Sequence, residues 1–156
     1  MDDTLGRHVN ARYERLAQRA RDELAAAGLP VVPAGLDDGL AVGAAVRISA
    51  WNQHFGEDPE VLVSWYPSAL LRSSATADRE PGGEPTAAAV QGGRVQAAMA
   101  TAVTEVLSAA GFTVRDRGDD QAPFDVLVVD GPDHRTPPVW SDPVHRPDRT
   151  ASRSAN

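Results

Sequence analysis

The side chains best suited to chemistry gather in one short stretch. Trp51, Phe55, Trp65 and Tyr66 are half of the chain's eight aromatic residues, and they fall within sixteen positions. Asn52, Gln53 and His54 sit among them. Large rings offer stacking area and amides offer paired donors and acceptors, a combination that suits binding a partner or a small ligand. No recognisable nucleophile motif places a Ser or Asp beside His54, so it does not read as a catalytic base. The expected binding residues are therefore Trp51, Asn52, Gln53, His54, Phe55, Trp65 and Tyr66, and no catalytic residue is expected. The competing role for the same rings is to anchor their own loop by packing.

Other constellations are weaker. Asp116, Asp119, Asp120, Asp125 and Asp130 bring carboxylates close in sequence. Their spacing matches no calcium loop and lacks its closing glutamate, so they read as a solvated turn. His8, His54, His134 and His145 lie 46, 80 and 11 residues apart, and the chain has no cysteine. That is no zinc signature, and neither a metal nor a cofactor is expected. All fifteen basic residues are arginine, which removes Schiff-base chemistry and the phosphate-loop lysine. Gly92-Gly93-Arg94 lacks that loop's spacing as well. The absence of lysine and the single isoleucine, Ile48, reflect a GC-rich coding genome.

No run of 18 apolar residues is present, so nothing is expected to span a membrane. The N-terminus is charged and lacks a signal peptide's apolar stretch, and a cytoplasmic protein is the expectation. A net charge of −7 disfavours nucleic acid and anionic lipid. Residues 1–29 balance five arginines against five acids, whereas residues 30–111 carry four against nine. The first helix, with Arg12, Arg15 and Arg19, thus has room for a local basic patch.

The elements that must position these groups follow from periodicity. Residues 4–27 read as a helix with the stripe Leu5, Val9, Tyr13, Leu16, Ala20, Leu24, Ala27, stopped by Gly28 and Pro30. Residues 86–110 read as a second, with Val95, Met99, Ala102, Val103, Val106, Leu107 and Ala110 on one stripe and Gly111 as its stop. Gly92-Gly93 implies a start near Gly93, frayed first turns, or close packing against backbone. Alternation marks strands at 40–50 and 61–66, joined by a long hairpin loop. Further strands are read at 112–116 and 124–129, with a short uncertain one after Gly28 and a short helix at 68–72. Leu24 to Val31 aligns with Leu107 to Val114, which suggests either an internal duplication or two similar helix stops.

The predicted order is α-β-β-β-α-β-β. The fold is expected to be α+β, a two-layer sandwich of two amphipathic helices on a mainly antiparallel sheet of four or five strands. The single domain is expected to span 1–130. Residues 131–156, rich in proline and poor in apolar side chains, read as a disordered tail with a short docked stretch around Val139-Trp140 as the exception. The α-β-β-β-α order resembles that of the double-stranded RNA-binding domain. That family's second helix opens on basic residues, however, where this chain has only Arg94.

The function expected from these features is non-catalytic: a small acidic domain acting through protein contacts, with a partner or as a homodimer. One alternative is a small-ligand or enzymatic domain with its pocket near the 51–66 hairpin. Another is a nucleic-acid-associated regulator using the first helix. An open apolar sheet face would favour contacts, and a deep polar pocket would favour a ligand.

If the hairpin rings are contact anchors, Phe55→Ala should stay folded with a near-native melting temperature. Association should weaken by about 2 kcal/mol or more. Sedimentation alongside thermal unfolding checks this. A variant that unfolds readily while the wild type is monomeric assigns the ring to packing.

Overall fold

Two helices carry the apolar stripes that the sequence predicts, and both lie on one face of a four-stranded sheet. The computed structural model describes residues 3–33, 35–36, 40–50, 58–76, 83–120 and 122–141, without the side chains of residues 3–10. Helix α1 runs Asp3–Ala26 and buries Tyr13, Ala17, Ala20 and Leu24, which recur at helical spacing. Strands β1 (Gly43–Ser49) and β2 (Glu60–Tyr66) form the first hairpin. Helix α2 (Ala69–Thr76) leads to α3 (Ala87–Ala109), and β3 (Thr113–Asp116) and β4 (Val126–Asp130) follow.

The sheet order is β1-β2-β4-β3, with every neighbouring pair antiparallel. The architecture is α+β with four strands rather than five. The short strand expected after Gly28 is a single parallel bridge, Val31 to Ala44. It is held by Ala44 N–H donating to Pro30 O at 2.8 Å and Val32 N–H donating to Ala44 O at 2.9 Å. Pro30 lies at its start and has no N–H with which to extend the ladder back along β1.

Ala44, Val46, Val61, Val63, Val126 and Val128 form the covered face of the sheet and meet Leu24, Val103, Leu107 and Phe112 in one core. Helix α3 is unbroken through Gly92 and Gly93, which corrects the expectation of a late or frayed start. Close packing is not the reason for the glycines: among the described residues nothing lies within 4 Å of where their side chains would begin. The first turn is secured instead by Thr86, whose hydroxyl accepts from Ala89 N–H at 3.1 Å, and by packing against α2.

The two helix stops are alike. Gly28 and Gly111 have φ of 83° and 88°. Leu29 N–H donates to Leu24 O at 3.1 Å, and Phe112 N–H donates to Leu107 O at 3.0 Å. Each is a Schellman closure. Directly after the stops the two segments differ, because Val31 bridges β1 in parallel while β3 pairs antiparallel with β4. The shared stop chemistry accounts for the likeness of these two segments.

Two glycines should differ in what they tolerate. At Gly111 a Cβ would make only an ordinary 3.5 Å contact with Pro132, so Gly111→Ala should destabilise chiefly through the positive φ, by about 1–2 kcal/mol. At Gly43, with φ of 108°, a Cβ would collide with Pro30 O. Gly43→Ala should therefore lose more stability in urea unfolding, because it also disturbs the Pro30–Ala44 bond. Equal losses would show that this approach is not needed.

Candidate functional site

The helix-free sheet face is not an open apolar surface. The register sets Leu62 opposite Leu127, and both are buried. Arg47 pairs across from Leu62 and Arg115 across from Leu127, so each end of this rung carries a cation. Arg117 reaches Glu60 at 3.5 Å and Asp119 at 3.0 Å. Long charged side chains thus surround the leucines and keep the face wet on its outside.

One rung along, the same face holds its most organised polar group. Ser64 Oγ donates to Asp125 Oδ1 at 2.6 Å, and Arg47 Nη2 donates to Ser64 Oγ at 2.9 Å and to Asp125 Oδ2 at 3.1 Å. Asp125 is only 7% exposed, so its charge needs these partners. An open cleft of about 650 Å³ adjoins it, lined also by Trp65, Tyr66, Gln96 and Phe124.

The cleft gathers two of the seven expected binding residues. Trp65 packs against the helix-side core, and its carbonyl lies 3.5 Å from Gln96 Nε2. Tyr66 packs with Val32, Ala41 and Ala45, and its ring lies 5.6 Å from the Arg72 guanidinium. Trp51, Asn52, Gln53, His54 and Phe55 lie outside the described residues. Arg47, Ser64 and Asp125 are not singled out by the sequence. Their signal is faint: an arginine on the small-residue face of β1, and an aspartate just ahead of an apolar strand. What joins them is the pairing of β2 with β4, 61 residues apart between Ser64 and Asp125.

Ser64 donates to the carboxylate and accepts from the guanidinium, and among the described residues no imidazole stands by to take its proton. Among the described residues no three His, Cys, Asp or Glu converge as a metal would need, and no helix is long and apolar enough to cross a membrane. Burial, then the nearby Asp58 carboxylate, push the Tyr13 hydroxyl above its usual range against the opposing Arg12, so it stays neutral.

The second polar centre is on α1. Glu23 is buried, Arg19 Nε donates to its Oε1 at 3.0 Å, and Trp140 Nε1 donates to its Oε2 at 2.7 Å. Arg19 Nη1 also donates to Thr136 O at 3.0 Å. Residues 131–141 therefore run along α1, and the stretch around Val139-Trp140 carries the anchor; residues 142–156 lie outside the described residues. Arg12 is 3.8 Å from Asp130. Of the three arginines considered for a basic patch, Arg12 and Arg19 thus face carboxylates of the same chain.

No family model, curated protein or solved structure matches the chain.

Trp140→Phe keeps an aromatic ring but removes the donor to a buried carboxylate. It should cost about 1–2 kcal/mol in chemical unfolding. An unchanged midpoint would mean that solvent or Arg19 replaces the indole without loss.

Proposed function

We propose that the chain is a non-catalytic domain that works through protein contacts on the β1 side of the sheet. The observation that carries this is where the exposed apolar side chains lie. Of nine exposed large apolar side chains among the described residues, four belong to this side: Leu36, Leu40 and Val42 lead into β1 and Ile48 lies near its end, while Leu70, Val90, Val129, Val139 and Trp140 are spread over other elements. Scattered exposed apolar groups are ordinary, but several in the one segment that leads into and forms an edge strand suit an interface. An edge strand also offers unpaired backbone groups to a partner. The polar centres support the same conclusion, since Ser64, Asp125 and Glu23 are each engaged by groups of the same chain.

A second reading is a small-ligand site in the cleft by Arg47. Its side chain is 43% exposed there beside Trp65, Tyr66 and Phe124. An anionic or aromatic ligand would suit those groups. The open shape of the cleft and the internal pairing of Arg47 with Asp125 make it the weaker of the two.

Placement of a photo-crosslinking amino acid tests the contact reading in cells of the native host. At position 42 it should give protein adducts. At position 115, on the opposite edge strand, it should give few. No adducts at position 42, or equal adducts at both, would overturn the reading.

A further inference from the structure

Arg21 is in an unusual position. It projects from α1 to the outer edge of β1, where Nη2 donates to Val46 O at 2.7 Å. Its Nε is buried without a hydrogen-bond partner. Among the described residues no carboxylate pairs with it. A half-buried guanidinium held by one carbonyl leaves charge and donors unanswered, and a carboxylate is what would satisfy both. Beside it runs a groove of about 460 Å³ between α1 and β1, lined by Ala11, Glu14, Arg15, Gln18 and Ile48.

The edge next to Arg21 is open for part of its length. Ala44 bonds outward to Pro30 and Val32, so residues alternating with it, Val46 and Ile48, also turn their backbone groups outward. Arg21 caps the Val46 carbonyl. The N–H of Val46 and both backbone groups of Ile48 have no partner among the described residues. Ile48 is 38% exposed on the face that the helices cover.

We infer that this edge pairs with the same edge of a second copy, antiparallel about a two-fold axis at Ile48. The inference rests on the contact reading above and names its partner. Two copies so joined extend the sheet through β1 and bring their α1 helices side by side and antiparallel. The dimensions decide which residues meet. Ile48 lies about 7 Å along the strand from Val46, at roughly 3.3 Å per residue. That distance is between four and five residues of helix at about 1.5 Å each. Since Arg21 stands beside Val46 and Glu14, Arg15 and Gln18 line the groove towards Ile48, the axis passes near residue 17 of α1. That sets Arg21 of one copy opposite residues 12–13 of the other, where Arg12 is answered by Asp130 of its own chain, and within one helical turn of Glu14, twice over. Glu14 is exposed and has no ion-pair partner among the described residues. The interface is self-complementary, as a two-fold contact must be, and it covers both Ile48 side chains. Val46 O can keep Arg21 while accepting from a strand of the second copy, because a carbonyl oxygen has two lone pairs.

The test is sedimentation equilibrium of the full chain, with charge reversals. The wild type should be a dimer. Glu14→Arg and Arg21→Glu should each be monomeric where the wild type is dimeric, since each brings like charges together. Mixing the two variants should restore a dimer. In the mixed pair the introduced arginine of one copy meets the introduced glutamate of the other, and the remaining native Arg21 meets the remaining native Glu14. Should Arg21→Glu not fold, Ile48→Pro serves in its place: it removes only an outward N–H, leaves the β1–β2 ladder intact, and should be a folded monomer by circular dichroism. A monomeric wild type, a mixture that stays monomeric, or dimers that persist in Ile48→Pro would overturn the inference. A monomer that still crosslinks to another protein from position 42 defeats only the second copy, whereas a monomer that gives no such adducts defeats the contact reading itself.

Discussion

The pairing of β2 with β4 is the interaction on which the rest depends. Each half of the chain is a helix followed by a hairpin, and these two strands are where the halves meet. Three rungs join them: Val61 with Val128, Leu62 with Leu127, Val63 with Val126. Alternation sends the four valines under α1 and α3 and the two leucines to the opposite face. The core is therefore built from both halves at once. Neither hairpin alone could bury its apolar face, since an isolated two-stranded ribbon is marginal in water. A slip of one residue would exchange valines for leucines throughout, so the register is strongly fixed.

The same register accounts for the buried charge. One step beyond Val63 and Val126 the ladder brings Ser64 to Asp125, and β1 delivers Arg47 to both. The carboxylate is tolerable in that position because a hydroxyl and a guanidinium answer it. Removing either partner would leave a charge in a dry place, a heavier penalty than the modest net gain of the intact bonds. Glu23 repeats the solution on α1 with Arg19 and Trp140. Both groups are thus fasteners between segments far apart in sequence: β2 to β4 in one case, α1 to residues 131–141 in the other.

What was legible in the sequence was whatever depends on neighbours along the chain. The helices, their glycine stops and the alternating strands could be read because Leu24, Leu107, Val46 and Val63 sit at the spacing their elements impose. The hairpin between β1 and β2 was legible for the same reason. Local signals misled where tertiary contacts override them. Gly92 and Gly93 argue for a late helix start on propensity alone, yet Thr86 and the packing of α2 carry α3 across them. Trp140 sits in a stretch too poor in apolar residues to fold by itself, but one indole N–H finds a buried carboxylate on α1. Of the expected binding residues, Trp65 and Tyr66 line the cleft, and the groups that accompany them, Arg47, Ser64 and Asp125, come together only through strand pairing that no short window reveals.

The two edges of the sheet show how differently the same hazard can be met. β3 is four residues long, has an irregular register at Thr113/Val114, and carries Arg115 and Asp116. Short length, a bulge and charge are the usual means of keeping an edge from pairing. β1 is seven residues long and carries Ile48, and among the described residues its outer side is filled only at its beginning, by the Pro30–Val32 bridge, and at one carbonyl, by Arg21. The Pro30–Val32 segment already occupies that end, so a joining strand cannot pair along the whole of β1. What is left is a segment of two outward-facing residues, flanked by a helix and by a cation that lacks a carboxylate. An edge protected at one end and open at the other restricts which strands can join it and in what register. That asymmetry, more than the amount of apolar surface, is what distinguishes the β1 side from every other part of the described fold.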